Sequence, residues 1–292
     1  MKLIIFYFLC WIVPSILFFY LPVPANISSF QHSLTLYFFI GVYLLLASSM
    51  SFWLMKKILT MSTGSAYMHC AMVIAVFGAA AWYSDSTAMP RIIPASLITA
   101  ILLFCSTVLG TALSVAVKRL GELVPVCITA AVADVTSVFM GPTKNMVEDL
   151  TAYYEHGMQG SPPLIDSILI KVGVPGYSVP IPLFGVTDWI LLILLSSSLL
   201  RLEKTDNILP RNGRRSNFVF LPVTVLALYV ALIFAQITHT FIPAMVFISS
   251  IFILFLVVKL GVHRQLRRGD FFYSIIFPVA AASMILLFSS VG

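Results

Sequence analysis

The stretch Leu123–Met140 reads LVPVCITAAVADVTSVFM and carries a single charge, Asp134. A helix that crosses a bilayer needs about 20 mostly apolar residues, and this run nearly meets that requirement by itself. An ionised carboxylate at the centre of such a helix costs roughly 2.5–3.5 kcal/mol on insertion scales, so the charge requires a reason. Eight other stretches repeat the apolar pattern: Leu3–Leu21, Leu34–Met55, Tyr67–Tyr83, Ile92–Val117, Pro182–Leu200, Phe218–Ile237, Pro243–Leu260 and Phe271–Val291. The expected fold class is all-α, a polytopic membrane helical bundle of about nine transmembrane helices. The longest connections are Gly141–Ile181 and Arg201–Asn217, which leave no room for a soluble domain.

Composition agrees. Of 292 residues, 60% are apolar and 10% charged, and the mean hydropathy is +1.03. A soluble domain is about 25% charged. This excludes an ordinary soluble enzyme, a disordered chain and a nucleic-acid binder. The net charge of +6 has a topological explanation. Of the 17 basic residues, all but Arg91, Lys144 and Lys171 fall on one side of a nine-span topology. By the positive-inside rule that side is cytoplasmic, with the N-terminus inside and the C-terminus outside. Lys2, the first apolar run and Val23-Pro24-Ala25 also fit a cleaved leader, but a run of about 18 residues is long for one, and a retained helix is expected. Pro14, Pro94, Pro125, Pro222 and Pro278 fall inside spans and are expected to kink them. Cys10, Cys70, Cys105 and Cys127 lie in apolar stretches without CxxC spacing and read as small buried hydrophobes.

Nine of the 11 acids fall in connections or at helix ends, where a solvated surface is the ordinary reading. Asp134 and Asp188 do not. Asp134 precedes Gly141 by seven residues in an outward-running span, and Asp188 follows Ile181 by seven in an inward-running one. At 1.5 Å per residue both lie about 10 Å below the outer surface. Small residues flank them: Ala130, Ala131, Ser137 and Gly141 around the first, and Gly185 before the second. Small residues let helices approach closely in lipid. Two carboxyls held together share a proton, so one can act as base on a water while the other acts as acid. From the two acids alone, catalysis, a proton relay in a transporter and a purely structural pair remain open.

The neighbouring residues bear on that choice. Ala133-Asp134-Val135-Thr136-Ser137-Val138-Phe139, continuing into Thr143-Lys144-Asn145-Met146, resembles the first-aspartate helix of prokaryotic presenilin-like proteases. Gly185-Val186-Thr187-Asp188 resembles the GxGD motif of that family of intramembrane aspartyl proteases, and Pro243-Ala244-Met245 resembles its PAL motif. Order and spacing also match, over about Leu123 to Leu260. The resemblance implies an Asp134/Asp188 catalytic dyad without metal or cofactor. Gly185, Thr187, Pro243, Ala244 and Met245 would line the substrate site, and the substrate would be a transmembrane peptide or protein. It implies a presenilin-like core over 122–260, with an outer connection 141–181, N-terminal helices over 1–121 and an extra C-terminal helix over 261–292. It also implies residence in a prokaryotic inner membrane. The departures are Thr187 for the second glycine, Ala133 where tyrosine is common, Met245 for leucine, and four spans before the first aspartate instead of five. The orientation is like that of signal peptide peptidase and opposite to that of presenilin. An inactive relative serving as a membrane scaffold is the remaining alternative under this resemblance.

The outer connection is rich in β-branched residues over Ile165–Val172, and Gly and Pro interrupt Gly173–Pro182. Part of Ser167–Pro180 is a candidate to pair with an unwound substrate by strand addition; a surface hairpin or linker is the alternative. Lys144–His156 reads as an extension of the fifth helix, with an interfacial helix carrying Tyr153 and Tyr154 as the alternative. His32, His69, His156, His239 and His263 show no paired ligand spacing, and no phosphate loop or GxSxG nucleophile occurs.

Overall fold

The computed structural model describes residues 2–22, 29–60, 91–155, 162–208, 219–238, 242–264 and 266–291, with isolated positions between 68 and 79. Helix dominates. In chain order the elements are α1 (Lys2–Phe19), α2 (Ser29–Leu59), α3 (Ile92–Leu113), α4 (Leu123–Met140), α5 (Pro142–Glu155), β1 (Leu169–Val172), β2 (Ile181–Gly185), α6 (Val186–Arg201), α7 (Val223–Thr238), α8 (Ala244–Val258) and α9 (Arg268–Val291). Among the described residues, α2, α3, α4 and α9 contain stretches long and apolar enough to cross a membrane, while α1, α7 and α8 are apolar but shorter. The span expected at Tyr67–Tyr83 lies almost wholly outside the described residues.

The helix boundaries follow local chemistry. α4 covers the expected run and stops at Gly141, whose extended backbone (φ −106°, ψ −175°) ends the helix. A Cβ at Gly141 would come within 2.9 Å of Ile285 Cγ2 on α9 and 2.8 Å of Ser137 Cα, so close packing excludes a side chain there. α5 is therefore a separate helix and not the expected extension of α4. Of those five prolines, Pro14 and Pro278 lie beyond the first turn of a helix. Pro94 and Pro125 are each third in their helix, where an N–H has no intrahelical acceptor, and Pro222 precedes α7. Kinks are not required at those three positions.

The chain forms two compact units. The first contains Met1–Ala112, Ile168–Leu194 and Leu209–Leu221. Here β1 and β2 form an antiparallel hairpin whose register shifts between Ile170 and Lys171. Leu183 is left without an opposite residue, the mark of a bulge. Gly176, with φ +84°, supplies the left-handed residue its turn needs. The hairpin is tied to the helices around it. Tyr43 of α2 donates to the Gly173 carbonyl at 2.7 Å. Thr99 Oγ1 of α3 accepts from Lys171 N–H at 3.0 Å and donates to its C=O at 3.1 Å.

The second unit contains Leu113–Ser167, Leu195–Ile208 and Pro222–Gly292. α4 packs on α9 and α8, and α7 packs on α8. Arg119, just before α4, forms a forked pair with Asp270 of α9, at 3.1 Å and 3.4 Å. Large apolar side chains stay exposed along α9, including Phe271 (71%) and Met284 (61%), as a lipid-facing surface requires. Three acids expected at a solvated surface are instead buried: Asp166, Asp206 and Asp270. Each has a hydrogen-bonding partner: Tyr154 for Asp166, Ser196 for Asp206 and Arg119 for Asp270. Burial, reinforced by the Asp166 carboxylate that accepts its hydrogen bond, raises the Tyr154 hydroxyl above its ordinary pKa.

Candidate functional site

Asp134 lies on α4, half-buried, two turns before the Gly141 break. Its Oδ2 accepts the backbone N–H of Met245 at 3.0 Å. Met245 is the second residue of α8, and the first four N–H groups of a helix lack intrahelical acceptors. A carboxylate there satisfies one of them and meets the positive end of the helix dipole. Pro243 takes the N-cap position with extended backbone (φ −60°, ψ 106°). Proline offers no N–H of its own, so α8 begins abruptly with its next donors free to face a neighbour. Pro243 is buried, and Ala244 and Met245 are half-buried. Two segments that the sequence marks separately, 111 residues apart, thus meet through one hydrogen bond.

Asp188 is held differently. The span expected to start at Pro182 begins as strand β2, and α6 starts only at Val186. Asp188 is therefore in the first turn of its helix and not deep within it. Its Oδ2 accepts the Gly185 N–H at 3.1 Å, the reach-back of a third helical residue to the N-cap backbone. The next residue, Trp189, is fully buried. It stacks on Phe184 at 5.6 Å between ring centroids and donates from Nε1 to Ser51 Oγ at 3.3 Å. Ser51 in turn is 2.9 Å from Thr107 Oγ1. This anchoring of Trp189 against α2 and α3 fixes the helix start that carries Asp188.

Thr187 is exposed. A Cβ built at Gly185 would lie 3.4 Å from Thr187 Oγ1 and 3.5 Å from Asp188 Oδ2, ordinary contact distances. The backbone thus has room for a methyl at Gly185, although that methyl would rest against the carboxylate. Asp134 with Pro243, Ala244 and Met245 belongs to the second unit, and Asp188 with Gly185 and Thr187 to the first.

Sequence reading missed β2 and the Thr99 clasp on Lys171. The signal for β2 was Pro182 beside β-branched Ile181, a weak mark within a continuous apolar run. His239 lies outside the described residues. Among the described residues no group of three or more His, Cys, Asp or Glu is placed to hold a metal ion. The sequence matches no protein-family model, and neither a curated protein nor a solved structure matches it.

Proposed function

We propose that this membrane protein is an intramembrane aspartyl protease of presenilin-like type. Asp134 and Asp188 are its catalytic pair, and a transmembrane peptide or protein is its substrate. One carboxylate takes a proton from water as the oxygen attacks the peptide carbonyl; the other, protonated, gives its proton to the leaving nitrogen. The pair titrates as a unit, with one proton between two acids. The nine-span topology, the cytoplasmic N-terminus, the outer C-terminus and residence in a cell membrane belong to this reading.

The observation that carries it is the Met245 N–H to Asp134 bond. It joins the PAL-like segment to the first aspartate, the partnership that the resemblance implies. The hairpin supports a site for substrate. β1 is engaged on one side by β2 and at Lys171 by Thr99. That moves strand addition from Ser167–Pro180 to the other edge of β2, which leads directly into Asp188. A helical peptide bond is shielded by its own hydrogen bonds, and pairing with β2 would hold it unwound.

A second reading rests on the caps. Both carboxyls bind a backbone N–H at a helix start, and this alone suits a scaffold without chemistry. Reconstitution with a membrane-helix reporter separates the readings. The protease cleaves the reporter, and Asp134→Asn and Asp188→Asn each abolish cleavage. Cleavage surviving in either variant rejects the dyad. Proton-driven solute uptake lost in the same variants, without reporter cleavage, assigns the acids to transport.

A further inference from the structure

Asp206 belongs to the connection after α6 and is 1% exposed. Its backbone C=O accepts the Val223 N–H at 3.0 Å, and Asn207 bridges to Pro222. The two ends of the connection are thereby closed on each other. The side chain turns inward. Ser196 of α6 donates to Oδ2 at 2.8 Å, and the Ser196 hydroxyl is 3.3 Å from that of Thr224 on α7. Among the described residues, Oδ1 is buried and has no hydrogen-bond partner. One carboxyl thus joins Ser196 of α6, Asp206 and the start of α7, residues that all belong to the second unit.

A buried carboxylate with one oxygen unsatisfied is costly, and a proton removes the charge that makes it so. We propose that Asp206 is a proton-operated latch on the α6–α7 connection: protonated, it holds the two ends closed, and ionised, it favours their release. Among the described residues, Ser196 of α6 bonds it directly and Thr224 of α7 lies against Ser196, and neither titrates in this range. Glu203 and Lys204, next to it in sequence, are exposed. Among the described residues no charged side chain perturbs the carboxyl. Burial pushes it up to about 6, and hydrogen bonds from Ser196 and from its own backbone N–H oppose that shift.

The direction follows from linkage. Released, the carboxyl titrates near the ordinary 3.8; closed, it titrates at about 6. Between these values only the closed form holds the proton, so closure gains as pH falls through 6 and levels off near 4. Above 6 both forms are ionised and pH has no effect. The gain is at most tenfold per pH unit and about 100-fold in all.

The test is hydrogen exchange on the full chain in nanodiscs, followed on the peptide containing Val223 and corrected for intrinsic pH dependence. Wild-type protection should rise steeply below about pH 6. Asp206→Asn should remove that dependence. Ser196→Ala, which removes a donor to the ionised form, should move the midpoint upward. Wild-type protection independent of pH would overturn the latch, as would a dependence that survives in Asp206→Asn. A midpoint that Ser196→Ala leaves in place would also overturn it. Protection set by sodium at fixed pH would show that a metal cation, and not a proton, fills the site.

Discussion

At the scale of single residues, the two aspartates have a structural duty as well as the chemistry proposed for them, and the two can be separated. The Asp134 oxygen that accepts from Met245 has a counterpart in asparagine, whose amide oxygen accepts equally well. Asp134→Asn should therefore retain thermal stability, within about 0.5 kcal/mol of wild type, while losing cleavage. A cap without chemistry would leave every measured property of that variant unchanged. Thr187 is the departure closest to the acids. Thr187→Gly should raise the rate of reporter cleavage if its β-branched side chain crowds the peptide; an unchanged rate would remove Thr187 from the site. Gly185→Ala should fold normally, since its Cβ has room, yet cleave more slowly because the methyl rests on the Asp188 carboxylate. An expression level far below wild type would contradict the first half of that expectation.

At the scale of elements, the hairpin and the α4–α9 contact determine how the acids are presented. Thr99→Val would remove the hydroxyl that bonds both backbone groups of Lys171, a loss of about 1–3 kcal/mol. A thermal melt should register it, with hydrogen exchange rising first in β1. Gly141→Ala should destabilise α4 against α9, because Ser137 backbone and Ile285 leave no space for a methyl. This scale also shows what the sequence displayed. The run Leu123–Met140 became α4 with the same ends, because glycine and a change of polarity mark its limit. β2 was hidden because Ile181–Gly185 is as apolar as the helix that follows, and hydropathy alone does not separate a buried strand from a buried helix. The motif residues were legible one by one. The Met245 bond to Asp134 was not, since it depends on a backbone donor freed by a helix start. Asp166, Asp206 and Asp270 read as surface acids because they fall in connections or at a helix end. Asp270, for example, is buried against Arg119, 151 residues away.

At the scale of the whole molecule, the proposed topology rests on charge. Ser178 and Thr205 are both exposed, in the hairpin turn and after α6. In sealed cells, Ser178→Cys should react with an impermeant maleimide from outside, and Thr205→Cys only after the membrane is opened. The opposite pattern would invert the orientation that the basic residues assign. The central claim is that Asp134 and Asp188 act on one peptide bond and so share one site. Its most direct test is oxidative cross-linking of the double variant Asp134→Cys with Asp188→Cys in proteoliposomes. The reference pair is Asp134→Cys with Met245→Cys, two positions brought together in the native protein by the Met245 N–H donating to the Asp134 carboxylate. The account predicts a disulfide between positions 134 and 188, or a bridge by the shortest bifunctional thiol reagent, at a rate near that of the reference pair. Efficient reaction of the reference pair with none between 134 and 188 would contradict it.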